Sequence, residues 1–148
     1  MSFRFALAPL LRLRQSIERQ RTLALQEALL QVARARETLA GLERFLADSA
    51  LADAHSLAAG RRAAELQFAT LLREQLRQFR LQLQEEVRRL EEVRQRAQQA
   101  YEQAFREREV LETLRARQRR EYQLEQARHE QQQLDAVYLL QRWRNRKA

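Results

Sequence analysis

Apolar side chains recur every three or four residues along the first third of the chain. This stripe consists of Leu10, Leu13, Ile17, Ala24, Ala28, Val32, Ala35, Leu39, Leu42 and Leu46. Such spacing places the side chains on one face of an α-helix. Pro9 fits the first turn of a helix, where its missing N–H would have no partner. The pattern therefore predicts a helix from about residue 8 to about residue 52.

A second stripe of the same kind occupies most of the remaining chain. It consists of Ala64, Phe68, Leu72, Leu76, Phe79, Leu83, Val87, Leu90, Val93, Ala97, Tyr101 and Ala104, and continues more weakly to Trp143. Ala, Leu, Glu, Gln and Arg dominate this part of the chain, and all of them favour helices. The stripe predicts a second helix from about residue 61 to about residue 143.

The stretch between the two stripes is the only one that combines Asp, Ser, His and Gly. Asp and Ser suit helix caps, and Gly suits the left-handed position after a helix. A reversal within residues 53–60 is therefore predicted, whereas Gly41 lies inside an unbroken stripe and is expected to be helical. Helices joined by a short connection lie antiparallel. The predicted fold is all-α, with residues 1–148 forming a single antiparallel coiled-coil hairpin with unequal arms and frayed ends.

The unequal arms leave the end of the second helix without an intramolecular partner. Counting back from the turn sets Leu10 opposite residue 105, so residues beyond about Thr113 are expected to overhang. A helix without a packed face is stable alone only through pairs of side chains four residues apart. The interpretation is a segment that frays in isolation and orders on a partner, with a solvated helix tip as the alternative.

The composition excludes several other classes of protein. The 148 residues include two Gly, one Pro and no Cys, so tight-turned β folds, disulfides and thiolate metal sites are excluded. No apolar run approaches the roughly 18 residues of a membrane span. The N-terminus also lacks the pattern of a signal peptide. The expected location is the inside of the cell.

The net charge of +8 is concentrated towards the C-terminus. The last eight residues carry four bases and no acid, the bases being Arg142, Arg144, Arg146 and Lys147. A basic tail can bind nucleic acid, but aromatic residues make up only 7% of the chain and few could stack on bases. Arg pairs well with carboxylates. A protein partner is therefore favoured, and nucleic acid is not expected.

The residue pattern gives no support for catalytic or cofactor chemistry. Two isolated Gly residues cannot form a phosphate-binding loop. The only histidines, His55 and His129, fall in the predicted turn and in the overhang, so a shared metal site is excluded. We therefore predict no catalytic, cofactor-binding or metal-binding residue, and no enzyme activity.

Three phenylalanines, Phe45, Phe68 and Phe79, flank the predicted turn. Phe68 and Phe79 lie on the second stripe, and packing inside the seam is the favoured interpretation for both. Phe45 lies beside the first stripe rather than on it. An exposed apolar patch on a thin coiled coil would instead mark a docking site for a protein.

The two ends of the chain carry an ordered pattern that resembles a known family. The first part reads Phe3-x-Phe5-x-Leu7-x-x-Leu10-Leu11-x-Leu13-Arg14, followed by Glu18. The second reads Arg108-Glu109-x-Leu111-Glu112-x-Leu114, followed by Tyr122, Glu125, Glu130-Gln131 and Leu134-Asp135. Over nearly its whole length the chain resembles the flagellar export protein FliJ family.

The resemblance implies a cytoplasmic two-helix coiled coil, similar to the central stalk of rotary ATPases, that acts as a stalk and adaptor in flagellar type III protein export. The implied partners are the flagellar export ATPase hexamer, the cytoplasmic domain of the export gate and export chaperones. The chain would reach the inner membrane only peripherally, through these partners. An injectisome stalk protein and a homo-oligomeric structural coiled coil, in which two overhangs pair, are the alternatives.

The resemblance also implies two sets of contact residues. The helix ends would enter the ATPase ring through Phe3, Phe5, Leu7, Leu10, Arg14, Tyr122, Leu134, Leu140 and Trp143. The turn-proximal part would contact the gate through Leu42, Phe45, Phe68, Leu72 and Phe79.

Overall fold

The computed structural model describes residues 2–60 and 62–148. Two helices account for nearly all of them, namely α1, Ala8–Ala58, and α2, Ala63–Lys147. The helices pack against each other, which confirms the predicted all-α hairpin. α1 ends at Ala58 instead of near residue 52, and α2 extends to Lys147 instead of near residue 143. The predicted start of the second helix falls on Arg61, which lies outside the described residues.

Gly60 follows the end of α1 in a left-handed backbone conformation, with φ of 82°. Glycine adopts this conformation without the steric cost that a Cβ atom brings. Its N–H donates to the carbonyl oxygen of Leu57 at 3.3 Å, and the N–H of Ala59 donates to that of His55 at 3.1 Å. These bonds satisfy carbonyl groups that a helix end otherwise leaves open. Gly41 lies within α1, as predicted.

The chain divides into two compact units. The terminal unit comprises Met1–Glu18 and Gln103–Ala148, and the turn unit comprises Arg19–Glu102. Each unit contains part of α1 and part of α2.

The terminal unit is held by a cluster of aromatic and aliphatic side chains. Phe5, Leu11 and Leu111 are buried, and the half-buried residues packed against them are Phe3, Ala8 and Leu114. The rings of Phe3 and Tyr122 lie 5.7 Å apart, and Arg14 forms an ion pair with Glu107. Low residue numbers on α1 thus meet high numbers on α2, so the helices of this unit run antiparallel.

The turn unit has a more polar seam. Among its described residues only Ala28 and Val32 are buried. The less exposed positions of its α2 segment recur in steps of three and four, beginning with Leu66, Ala69, Arg73, Leu76, Arg80 and Leu83. Arg73 forms an ion pair with Asp53, and Arg36 forms one with Glu91. These pairs show that the helices of this unit also run antiparallel.

The seam differs from the predicted stripes in both helices. In α1, Leu11 is buried, whereas Leu10 and Leu13 of the predicted stripe are exposed. In α2, the interpretation that Phe68 and Phe79 pack in the seam is wrong, since the side chains are 70% and 47% exposed. The seam positions nearby belong instead to residues such as Leu66 and Arg80.

The overhang begins later than predicted. α2 contacts the N-terminal segment as far along as Tyr122, rather than only to about Thr113. Every residue from 123 to 148 is exposed. We call residues 123–148 the terminal overhang.

Candidate partner-binding surfaces

The residues predicted to enter an ATPase ring fall into an engaged group and an exposed group. Phe5 is buried in the terminal cluster, the ring of Phe3 packs near that of Tyr122, and Arg14 pairs with Glu107. Exposed instead are Leu7, Leu10, Leu134, Leu140 and Trp143. The engaged group holds the two helices together, whereas the exposed group is available to a partner.

The terminal overhang exposes a group of large apolar side chains between residues 134 and 143. Leu134, Val137, Tyr138, Leu139, Leu140 and Trp143 are each 51–65% exposed. The ammonium group of Lys147 lies 3.8 Å from the ring centroid of Trp143, a cation–π contact. Within the overhang, the amide of Gln131 donates to Asp135 at 3.0 Å. Such contacts within one helix stabilise it only weakly. The apolar side chains of the overhang remain exposed.

The predicted gate residues also divide by exposure. Leu42 is half-buried at a seam position of α1. Phe45, Phe68, Leu72 and Phe79 are exposed, each by 45% or more. Four of the five predicted residues thus lie outside the seam.

These four residues share one edge of the helix pair. Phe68, Leu72 and Phe79 are four and seven residues apart, which places them in one row along α2. The ion pair between Arg36 and Glu91 marks one edge of the seam.

Phe45 lies about 180° around α1 from Arg36, and Phe79 lies about 120° around α2 from Glu91. Both phenylalanines therefore lie at the edge away from that ion pair. We call Phe45, Phe68, Leu72 and Phe79 the phenylalanine edge.

The chain matches the model of a known protein family over nearly its whole length. The model of the family described as the flagellar FliJ protein matches residues 3–148. The chain belongs to the FliJ family. The comparisons with curated proteins and with solved structures gave no match.

FliJ membership confirms the resemblance seen at the two ends of the sequence. It makes the chain a component of the flagellar export apparatus, in a family of structural stalk proteins. The flagellar assignment is thus favoured over the injectisome alternative.

Among the described residues, no group of three or more His, Cys, Asp or Glu side chains is arranged to hold a metal ion. None of the described helical segments has the length and apolar character needed to cross a membrane.

Arg108 organises the terminal unit of this FliJ-family chain, although the sequence pattern that includes it gave it no role. Its guanidinium group forms ion pairs with Glu18 on α1 and, at 2.7 Å, with Glu112 on α2. It also lies 5.0 Å from the ring centroid of Phe105. The hydrogen-bonded carboxylate of Glu18 raises the pKa of Arg108 above its ordinary value, against the opposing effect of burial. The spacing of Arg108 and Glu112 by four residues is the one signal that the sequence offered.

Proposed function

We propose that this chain is a non-enzymatic stalk and adaptor of the flagellar export apparatus, and that its terminal overhang binds the export ATPase ring. The observation that carries the proposal is the exposure of every residue from 123 to 148, seven large apolar side chains among them. Exposed apolar surfaces of this extent are typical of contacts between proteins. Membership of a family of export stalk proteins supports the choice of partner.

The exposed residues carry the proposed ATPase contact. Leu134, Leu140 and Trp143 contribute the apolar surface, and Leu7 and Leu10 add exposed side chains at the start of the chain. The engaged group described above positions the helix ends for this contact.

The phenylalanine edge is the proposed contact for the cytoplasmic domain of the export gate. Aromatic side chains often contribute most of the binding energy in protein interfaces, and those of this edge are exposed. Leu42, the fifth residue predicted for this contact, is half-buried. Export chaperones are a third proposed partner, on the ground of family membership alone. These contacts would hold the chain in the cytoplasm at the inner membrane.

The ATPase contact is tested by truncation after Tyr122. This end point keeps the ring contact between Phe3 and Tyr122 and removes only the terminal overhang. We expect the truncated chain to lose binding to the cognate flagellar export ATPase in a pull-down, while circular dichroism shows that the remaining helices persist. Undiminished binding by the truncated chain would exclude the overhang as the contact.

The gate contact is tested by the double substitution of Phe45→Ala and Phe79→Ala. Both side chains are exposed, so we expect lost binding to the cytoplasmic domain of the gate with little change in thermal stability. Leu81→Ala is the matched control, because Leu81 is 52% exposed in the same unit but lies away from the phenylalanine edge. Equal effects of the control and the double substitution would contradict the assignment.

A further inference from the structure

The side of α1 that faces away from α2 carries a second heptad repeat, separate from the one in the seam. Its residues follow one another in alternating steps of three and four from Leu23 to Ala58. Such spacing is typical of a helix that packs along its length against another helix. The repeat lies about 150° around α1 from the seam positions Val32 and Ala35. We call it the outer face, and it consists of Leu23, Gln26, Leu30, Ala33, Glu37, Ala40, Arg44, Ala47, Leu51, Ala54 and Ala58.

The outer face is uncovered in the hairpin. All of its residues are exposed, and the side chains of Leu23, Leu30 and Leu51 are 45–65% exposed. Alanines occupy the positions between the larger residues, and small side chains let helix backbones approach each other closely. A repeating apolar surface that the chain leaves exposed is typical of a contact between proteins.

Gly41 lies beside Ala40 at the midpoint of the outer face, and the hairpin itself does not require a glycine there. A Cβ atom at this position would meet no other part of the described chain within 4 Å. A glycine inside a helix costs about 1 kcal/mol relative to alanine. Glycine suits a position that a second backbone approaches closely. Because no backbone of the hairpin does so, the approaching backbone would come from another molecule.

The outer face is self-complementary about its midpoint. Leu30 and Leu51 lie equally far from the point between residues 40 and 41, and so do Glu37 and Arg44. In an antiparallel pair of outer faces centred there, Leu30 lies level with Leu51 of the second copy. Glu37 likewise lies level with Arg44 of the second copy. Within the described chain neither of these two charged residues forms an ion pair, so both charges are available to another molecule.

We propose that two copies of this chain pair antiparallel through the outer face of α1, about a two-fold axis between Ala40 and Gly41. Each copy then supplies the same surface, as a two-fold contact requires. Arg34, which borders the outer face, also comes within one residue of the level of Asp48 of the second copy. The outer face contains no residue of the phenylalanine edge or of the terminal overhang. The pairing is therefore independent of the proposed function.

Two other occupants fit the outer face less well. A helix of a different protein would need no mirror relation between the charges or between the leucines of this face. A helix that lies on a membrane keeps its charged residues off the apolar side, whereas Glu37 and Arg44 lie in the middle of this one. A second copy of the chain accounts for the mirror relation, for both charges and for Gly41.

The pairing is tested by reversing each of the two charges in the full chain. Sedimentation equilibrium should show that the wild type dimerises, and that Glu37→Arg and Arg44→Glu each weaken dimerisation at least about tenfold, because like charges then face each other. An equimolar mixture of the two variants should dimerise again, since every charge meets its opposite in the mixed pair. The control is Arg96→Glu, on an exposed position of α2 in the same unit, which should dimerise like the wild type.

Several results of this experiment would overturn the proposal. A wild-type chain that stays monomeric would do so without affecting the proposed ATPase contact, and binding of that monomer to vesicles of phosphatidylcholine and phosphatidylserine would assign the outer face to a membrane. Unchanged dimerisation of the charge variants, or a mixture that fails to dimerise, would also contradict it. Dimerisation that Leu140→Gln abolishes would place the contact in the terminal overhang instead.

The role of Gly41 is tested by Gly41→Gln. At concentrations where the chain is monomeric we expect a higher thermal midpoint, because glutamine favours helices more than glycine and its Cβ meets no neighbour in the hairpin. Dimerisation should nevertheless weaken at least about tenfold, because the side chain holds the two backbones apart. The control is Ala52→Gln, on an exposed position of α1 away from the outer face. Dimerisation of Gly41→Gln at wild-type strength would overturn the proposal.

The antiparallel direction is tested with single cysteines, because the chain contains none of its own. Ala40 lies next to the proposed axis and therefore close to Ala40 of the second copy. Ala40→Cys should form a disulfide between the copies under mild oxidation. Ala54→Cys, also on the outer face but about 40 Å from its counterpart, should not. Equal linking of both variants would indicate a parallel pair and would overturn the proposal, as would the absence of a link in Ala40→Cys.

Discussion

The terminal unit and the turn unit differ in the side chains that they bury where their helices meet. The terminal unit buries Phe5, Leu11 and Leu111. In the turn unit no described residue of α2 is buried, and Arg73 and Arg80 occupy seam positions. The phenylalanines of that unit, Phe45, Phe68 and Phe79, lie outside the seam, in the phenylalanine edge. The terminal unit therefore buries Phe5 to hold its helices together, whereas the turn unit leaves its phenylalanines available for contact.

The largest effect expected from this difference concerns Leu11, whose side chain is 3% exposed. Leu11→Ala should lower the free energy of unfolding by about 3 kcal/mol, through lost burial and the cavity left behind. Phe68→Ala in the turn unit should lower it by less than about 0.5 kcal/mol, because that side chain is already in solvent. Urea unfolding followed by circular dichroism measures both. Equal losses of unfolding free energy in the two variants would contradict this difference between the units.

A smaller loss is expected from Arg108→Gln in the terminal unit. The substitution removes ion pairs to Glu18 and Glu112 and leaves both carboxylates without this cation. We expect a loss of about 1.5 kcal/mol in unfolding free energy. The control is Arg117→Gln, since Arg117 pairs with Glu121 in a solvent-exposed position and should contribute less than about 0.5 kcal/mol. A loss no greater than that of the control would show that Arg108 does not hold this unit.

A gain in stability is expected from Arg80→Leu in the turn unit. The side chain is half-buried, and its Nε atom is buried without a hydrogen-bond partner in the described chain. An apolar side chain at this seam position should raise the unfolding free energy by about 1 kcal/mol. Arg77→Leu, at a more exposed position of the same helix, should change it little. A destabilised Arg80→Leu variant would mean that the polar seam is itself required.

The smallest expected effect is a dependence of the turn unit on pH. Arg94 donates a hydrogen bond to Glu91 at 2.7 Å and, helped by Arg36, lowers the pKa of Glu91 below its ordinary value of 4.5. The resulting stabilisation is present above the unfolded-state pKa and is lost as the pH falls through the folded-state pKa. From about pH 5 to about pH 3, the thermal midpoint of the wild type should therefore fall further than that of Glu91→Gln. If the thermal midpoints of the wild type and Glu91→Gln fall equally with pH, Glu91 does not stabilise this unit.

The helices could be predicted from the sequence because the apolar spacing and the helix-forming residues agree throughout. The position of the seam could not. Leu10 and Leu13 lie about 60° apart around α1 and continue the stripe towards Ile17, whereas Leu11 lies about 100° from Leu10 and about 160° from Leu13. Phe5, which precedes α1, packs in the cluster with Leu11 and Leu111 and so selects Leu11. That contact is between distant parts of the chain, which a local pattern does not contain.

The exposure of the predicted site residues could not be predicted from the sequence, for a similar reason. The large apolar side chains of Phe68 and Phe79 led us to place them in the predicted stripe of α2. The smaller Ala69 and the charged Arg73 and Arg80 gave no such indication. The structure places the second group in the seam, where Asp53 of α1 forms an ion pair with Arg73. Such pairing depends on which residues of the two helices are level with each other. The sequence therefore named candidate residues for partner contact but could not state which were exposed.

The cation–π contact between Lys147 and Trp143 has a practical consequence. Trp143 is the only tryptophan of the chain, so the intrinsic indole fluorescence of the free protein reports on the end of α2 alone. Emission from an indole in water moves to shorter wavelength when the ring enters an apolar environment. The end of α2 thus carries its own optical probe, and Lys147→Gln should alter its emission without unfolding either helix.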